Sequence, residues 1–293
     1  MPGQTGRRNL GGMETPPPAP PPLPGVRPGG PPSLPPPGCA ACAAPLGAGW
    51  TFCPACGHRR EAGRLTLKVL LGDLFGRTVQ LERGFARTFL GLSTAPARTC
   101  RAYVDGARRT TPPLGYLFLS AAFALLLFSF QAEAAREELR RMAAYNAAKN
   151  PLYAAFLHPA DVDRYVEANL GLIEAAYPYQ LILMTAPLAL LLRAFFRRPY
   201  NLAEVGVLTI YTTSHAGIVG AVLSFALTPW LGLFGAAYLV LALAVVYQGL
   251  TAAAFFGVGR VRGVVLTLVA SFVAYVLYGI ALDAGLLAYV ALT

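Results

Sequence analysis

Two pairs of cysteines carry the clearest chemistry in this chain. Cys39 and Cys42 form one Cys-x2-Cys pair and Cys53 and Cys56 another, with 10 residues between the pairs. Each pair can aim two thiolates from a tight turn at a single ion, and four sulfurs complete the closed tetrahedral shell of a structural zinc. A closed shell leaves no position for substrate, so a structural ion is favoured over a catalytic one, with iron as the alternative for an all-thiolate site. Gly57, directly after the second pair, suits a backbone that folds over a metal, and His58 is redundant once Cys56 completes the set.

The second place where residue types point to chemistry lies inside an apolar stretch. Glu204, Leu208, Tyr211 and His215 advance by 4, 3 and 4 positions, which aligns them along one helical face, and Thr212, Thr213 and Ser214 add hydroxyls beside it. Ionisable groups inside a membrane are expensive and mark sites by default, so one expectation is an ion or proton path or a small polar site. The competing expectation puts Glu204 at the boundary beside Arg197 and Arg198, with His215 and the hydroxyls bonded to neighbouring helices. Gln180, Tyr247, Gln248, Tyr275 and Tyr278 are further candidates for the same interior. Cys100, among Arg98, Arg101 and Tyr103, reads as a small apolar filler, the alternative being a thiol activated by nearby cations. No nucleophile elbow, metalloprotease helix or phosphate loop is present, so no residue is assigned a catalytic role.

The elements that must position these residues are membrane helices. Only 13% of residues are charged, about half the share of an ordinary soluble domain, and mean hydropathy is +0.51. Pro112–Gln131, Val205–Gly259 and Gly263–Leu282 hold no Asp, Glu, Lys or Arg over 20, 55 and 20 residues, with His215 the only titratable group short of tyrosine in the second. Five spans are expected: Leu114–Phe130, Tyr177–Leu192, Leu202–Leu227, Trp230–Phe256 and Val264–Leu282, with the turn between the third and fourth at Thr228 and Pro229.

Charge placement orients them. Residues 1–112 hold 14 Lys+Arg against 5 Asp+Glu, whereas residues 131–176 hold 5 against 7, and Arg193, Arg197, Arg198, Arg260 and Arg262 fall in the loops on the first side. Basic residues stay cytoplasmic, so the N-terminus is expected inside and the C-terminus outside, with Asp283 near the outer interface. The formal charge of +10 reads as attraction to anionic lipid rather than to nucleic acid.

The expected fold class is therefore all-α, an integral membrane bundle of about five helices preceded by a small zinc ribbon. Residues 1–38 carry 14 prolines and read as a disordered tail; 39–58 form the ribbon; 64–112 read as cytoplasmic interfacial helices. In that third segment Leu67, Leu70, Leu71, Leu74 and Phe75 share one side and Arg77, Arg83 and Arg87 can face phosphate headgroups, the equal alternative being a helix packed on the protein's own cytoplasmic face. Residues 113–293 hold the spans, with an outer helical hairpin at 131–176. In the hairpin Glu133–Lys149 would continue the first span outward, Asn150 and Pro151 would break it, and Asp161 would cap the returning helix.

The order of features resembles an uncharacterised bacterial family of multi-pass membrane proteins with an N-terminal zinc ribbon, a domain of unknown function. The likeness rests on Cys39, Cys42, Phe52, Cys53, Pro54, Cys56 and Gly57, on Arg64–Lys68, and on Arg87, Thr88 and Leu92 before Pro96. It continues through Tyr103, Asp105, Gly106 and Arg108 to Tyr200, Asn201, Ala203 and Glu204. The resemblance implies a histidine after the glutamate, where this chain has Val205, which argues against a Glu-His pair doing chemistry. It implies architecture in a bacterial cytoplasmic (inner) membrane and no settled activity. Two functions are expected: a scaffold or assembly factor whose ribbon docks a cytoplasmic protein partner, or a small-solute or ion transporter using Glu204, Tyr211 and His215.

Overall fold

The computed structural model describes residues 38–39, 43–47, 49–55, 65–67, 70, 81–107, 109–196 and 200–292. The Pro-rich tail up to residue 37, Cys42, Cys56 and the apolar positions Leu71, Leu74 and Phe75 lie outside the described residues, as does Arg77. The elements are α1 (Leu81–Thr94), α2 (Pro96–Val104), α3 (Pro113–Ser129), α4 (Ala132–Lys149), the single turn α5 (Pro151–Ala154), α6 (Val162–Phe196), α7 (Leu202–Phe256) and α8 (Arg260–Leu292). A 3₁₀ turn, Pro159–Asp161, leads into α6.

Helix ends follow local chemistry. Pro96 and Pro113 open α2 and α3, where a missing N–H costs nothing. α2 stops in a Schellman turn, with the Ala107 N–H on the Ala102 carbonyl at 2.8 Å, the Gly106 N–H on the Tyr103 carbonyl at 3.1 Å, and Gly106 at a φ of 100°. A capping box opens α7: the Asn201 side chain accepts from the Glu204 N–H at 3.0 Å, and Glu204 Oε2 accepts from the Asn201 N–H at 2.7 Å.

α7 doubles back on itself. Gly232 sits at φ 71° and ψ 167°, a conformation open essentially to glycine alone, and it breaks the helix into two limbs. Gln248 then reaches Thr213 at 3.2 Å, the His215 and Tyr247 rings meet at 5.6 Å, and Gly220 abuts Val240. In a straight helix residues 213 and 248 would be about 50 Å apart. The reversal falls at Gly232 rather than at Thr228 and Pro229. Proline's fixed φ fits a helix, and only the residue that must turn the chain needs the glycine region.

A second correction concerns α4, which does not continue α3 outward but departs from it at 81°. The bend lets α4 bury Ala135, Ala143 and Ala147 in a cluster with Leu157, Val166, Leu170 and Leu287. A straight extension would leave those alanines in water. Arg136 pairs with Glu167 at 2.9 Å and Arg140 with Asp163 at 2.7 Å across the α4–α6 contact, exposed pairs that add little each. Tyr153 and Tyr165 donate to the two oxygens of Asp283 at 2.6 and 2.9 Å, tying α5 and α6 to the far part of α8.

Three helical stretches, Pro159–Phe196, Leu202–Phe256 and Arg260–Val290, are long and apolar enough to cross a membrane, and counting the bent α3–α4 pair as one span gives up to four. Leu119, Phe123, Leu183, Leu190, Leu243 and Phe272 are all exposed on these helices. An apolar surface of that extent has lipid as its solvent.

Close helix contact inside the bundle is set by small residues. A Cβ on Gly249 would stand 2.7 Å from Val264 Cα, and one on Gly263 would stand 2.8 Å from Ala253 Cα, so the return limb of α7 and α8 meet nearly backbone to backbone.

Candidate functional site

The polar face of α7 is absorbed by its neighbours. Glu204 serves the α7 cap and is buried there. Tyr211, also buried, donates to the Thr111 carbonyl at 2.5 Å and stands edge-on to the Tyr103 and Tyr116 rings. His215 bonds Tyr116 Oη through Nδ1 at 3.1 Å and Ser93 Oγ through Nε2 at 3.3 Å, with the Phe89 ring 5.0 Å away. Glu204 and His215 are therefore not brought together. They are 11 positions apart, about 16 Å along the helix.

α1 and α2 form the wall on which this face rests. Tyr247 Oη donates to the Leu92 carbonyl at 3.0 Å. Thr88 Oγ1 accepts from the Thr111 N–H at 2.9 Å. The Arg101 guanidinium donates to the Phe255 carbonyl at 2.8 Å and also bonds that of Ala254, satisfying the last carbonyls of α7 where a cation is favoured. Cys100 is fully buried in this wall, and burial pushes its thiol up to about 12, which leaves it protonated and unreactive. Sequence reasoning did not find Ser93, Arg101 or Tyr116 as partners. They lie 99 to 154 positions from what they bind, and the sole local signal was a tyrosine in the otherwise apolar α3.

The opposite face of α7 lines a cavity of about 510 Å³ enclosed by α3, α6, both limbs of α7 and α8. Gln180, Gln248, Tyr275 and Tyr278, four of the five extra candidates from the sequence, converge here with Thr213 and Tyr177; Tyr247 does not. Tyr278 Oη donates to Gln180 Oε1 at 2.9 Å, and Gln180 Nε2 donates to the Leu172 carbonyl at 2.9 Å beside the proline of α6 at 178. Among the described residues no Asp, Glu, Lys or Arg lines the space.

Of the four metal-ligand candidates, Cys39 and Cys53 are buried together with Leu46 in a small cluster of their own. Around Cys39 the chain makes a tight turn, with the Ala43 N–H on the Cys39 carbonyl at 2.7 Å, the Cys39 N–H on the Ala44 carbonyl at 2.8 Å, and Ala43 in the left-handed region at φ 56°. Cys42 and Cys56 are outside the described residues; among the described residues no group of three or more His, Cys, Asp or Glu gathers as a metal site.

Fold and site together define a helical membrane protein with a hydrogen-bonded polar interface on one side of α7 and, among the described residues, a cavity without Asp, Glu, Lys or Arg on the other. Residues 82–125 match the model of a family described as a protein of unknown function, DUF3667. The match spans α1 from its second residue, all of α2 and most of α3, the wall that carries Ser93, Arg101 and Tyr116. No curated protein and no solved structure matches.

Proposed function

We propose that this protein is a scaffold or assembly factor of the bacterial cytoplasmic membrane, in which a structural zinc ribbon docks a cytoplasmic protein partner and five spans provide the anchor. The observation that carries the reading is a tether. Asn201 Nδ2, at the cap of α7, donates to the Leu65 carbonyl at 2.8 Å, so the chain leaving the ribbon is fixed to one end of the bundle. A chain anchored to the bundle at Leu65 suits presentation of the residues before it to a partner. Trp50 and Phe52, 47% and 43% exposed beside the buried Cys53, offer that partner aromatic anchors.

Cys39, Cys42, Cys53 and Cys56 would hold the zinc. The shared burial of Cys39 and Cys53, one from each pair, and the tight turn at Ala43 fit such a site. The ion would supply folding energy rather than catalysis.

The five crossings are α3, the membrane part of α6, the two limbs of α7, and α8. The reversal at Gly232 supports treating the limbs separately. Arg101, Arg193, Arg260 and Arg262 belong to the end of the bundle where α6 finishes and α8 begins, which supports a cytoplasmic location for that end and an N-terminus inside. Trp230, 85% exposed near the turn of α7, suits the opposite interface, and the C-terminus then lies outside.

The test is a pull-down with the full chain in its membrane. Cys53→Ser with Cys56→Ser is expected to lose zinc and a cytoplasmic partner while the spans still insert; an unchanged set of partners would reject the scaffold reading. Transport of a small solute or ion along Glu204, Tyr211 and His215 has less support, because their polar atoms are used in a cap and in interhelical bonds. Proteoliposome flux that falls with Glu204→Gln and His215→Ala would restore it.

A further inference from the structure

We infer that the central cavity is a binding site for a neutral, lipid-soluble molecule whose head carries carbonyl or hydroxyl oxygens. The inference is independent of the ribbon and of any partner it docks. Volume comes first: about 510 Å³ is within the range of roughly 300–1,000 Å³ found for small-molecule sites. It is far more than the ~30 Å³ that one structural water occupies.

Lining chemistry then sets the class of ligand. Much of the wall is apolar, with Leu125, Phe128, Met184 and Leu241, and this part accepts a hydrocarbon body. Polar groups are concentrated where α6, α7 and α8 face one another. The Tyr177 and Tyr275 hydroxyls make no hydrogen bond among the described residues, and Gln248 uses one amide hydrogen on Thr213 and keeps the other. Two phenols and an amide N–H are donors waiting for oxygen acceptors. With no carboxylate, ammonium or guanidinium among the described residues of the wall, an ion or a phosphate headgroup would enter without a counter-charge in a low-dielectric interior, a heavy penalty.

The fold also provides a route from the bilayer. Ala216, Gly220, Val240 and Ala244 line both this cavity and a smaller recess of about 340 Å³ on the other side of the α7 seam, where Val219 and Leu243 are exposed to lipid. The seam between the two limbs separates this cavity from that recess. Its residues are small at 216, 220 and 244, so a modest parting of the limbs admits a slender molecule laterally. Ser93, His215 and Tyr247 also line the recess, and among the described residues no carboxylate, ammonium or guanidinium lines it.

The test uses the full chain in phosphatidylcholine nanodiscs and three labelled probes. Dioctanoylglycerol and menadione are neutral, one with hydroxyl and ester oxygens and one with ring carbonyls; dioctanoyl phosphatidic acid is the charged counterpart. At least one neutral probe is expected to bind saturably, one per protein, about tenfold or more tighter than the phosphatidic acid. Which neutral probe binds distinguishes the two oxygen chemistries. Losing one hydrogen bond typically weakens binding about fivefold; Tyr275→Phe and Gln248→Leu are each expected to do so, and Ala237→Phe, which fills the space, to abolish binding. Circular dichroism and a monodisperse elution profile establish folding, and if Ala237→Phe fails that check the two polar variants carry the test. Absence of saturable neutral binding to the folded protein, equal binding of phosphatidic acid, or polar variants that bind like the parent would overturn the inference.

Discussion

The two faces of α7 hold similar residue types and put them to opposite uses. On one, Tyr211 and His215 find Thr111, Tyr116 and Ser93 within hydrogen-bond reach, and rings from Phe89, Tyr103 and Tyr116 pack around them, with a recess of about 340 Å³ beside His215 and Ser93. On the other, Thr213 and Gln248 meet each other and a void. In hydrocarbon a polar group with no water must find a protein partner, so a satisfied face locks helices together. A face left partly unsatisfied holds room for something else. Side-chain polarity alone does not separate the two cases, whereas the packing around it does.

Substitutions on the packed face should therefore cost most. Tyr211 is fully buried among aromatic rings, and Tyr211→Ala is expected to destabilise by about 3–5 kcal/mol through cavity and transfer terms. Tyr211→Phe, which loses only the bond to Thr111, should cost about 1 kcal/mol. Unfolding by SDS titration in mixed micelles measures both, and near-equal effects would mean the hydroxyl rather than the ring packing dominates. On the cavity side, Thr213→Val, which removes the acceptor of the Gln248 amide, should cost about 1 kcal/mol, less than the loss of the Tyr211 ring.

The turn and the α7–α8 contact come next in size. Gly232→Ala forces an L side chain into a glycine conformation and is expected to cost about 1–3 kcal/mol, and Gly263→Val must separate two backbones for a similar loss. Gly217→Ala, with open space around its Cβ position on the cavity side, should be neutral or slightly stabilising. A Gly217 variant as damaging as the Gly263 one would show that the cavity side is packed after all.

How much of this was legible in the sequence follows from the same contrast. Periodicity placed Glu204, Tyr211 and His215 on one side of a helix, and hydropathy located the apolar segments, because both are local patterns. What the face would touch was hidden, since Ser93 and Tyr116 come from segments about a hundred positions away. The cavity was still less accessible. Gln180, Gln248 and Tyr275 were named as polar residues in apolar surroundings, yet their convergence depends on the reversal of α7, and the break was expected three residues before Gly232. The bend between α3 and α4 escaped because Ala, Glu and Arg favour a helix without saying which way it points.

The smallest expected effect lies at the end of the bundle where α5 and α6 meet Asp283, and it depends on pH. Burial, reinforced by the hydrogen bond to Asp283 and its charge, pushes the Tyr153 phenol up to about 12 from its ordinary value near 10. The folded state thus holds the Tyr153 proton more tightly than the unfolded chain does. Its contribution is fully present below pH 10, declines as the unfolded chain begins to lose the proton, and is gone as pH passes 12. Tyr165 shares the same carboxylate, so Tyr153→Phe should reduce this alkaline loss without abolishing it. Hydrogen exchange of α4 and α5 amides across pH 9 to 11, corrected for the intrinsic rate, reads the effect where it arises, whereas exchange in α7 around Tyr211 should not respond. A response of equal size at both places would mean that the Asp283 end and the packed face open as one unit, and the contrast between regions would then be one of composition rather than of stability.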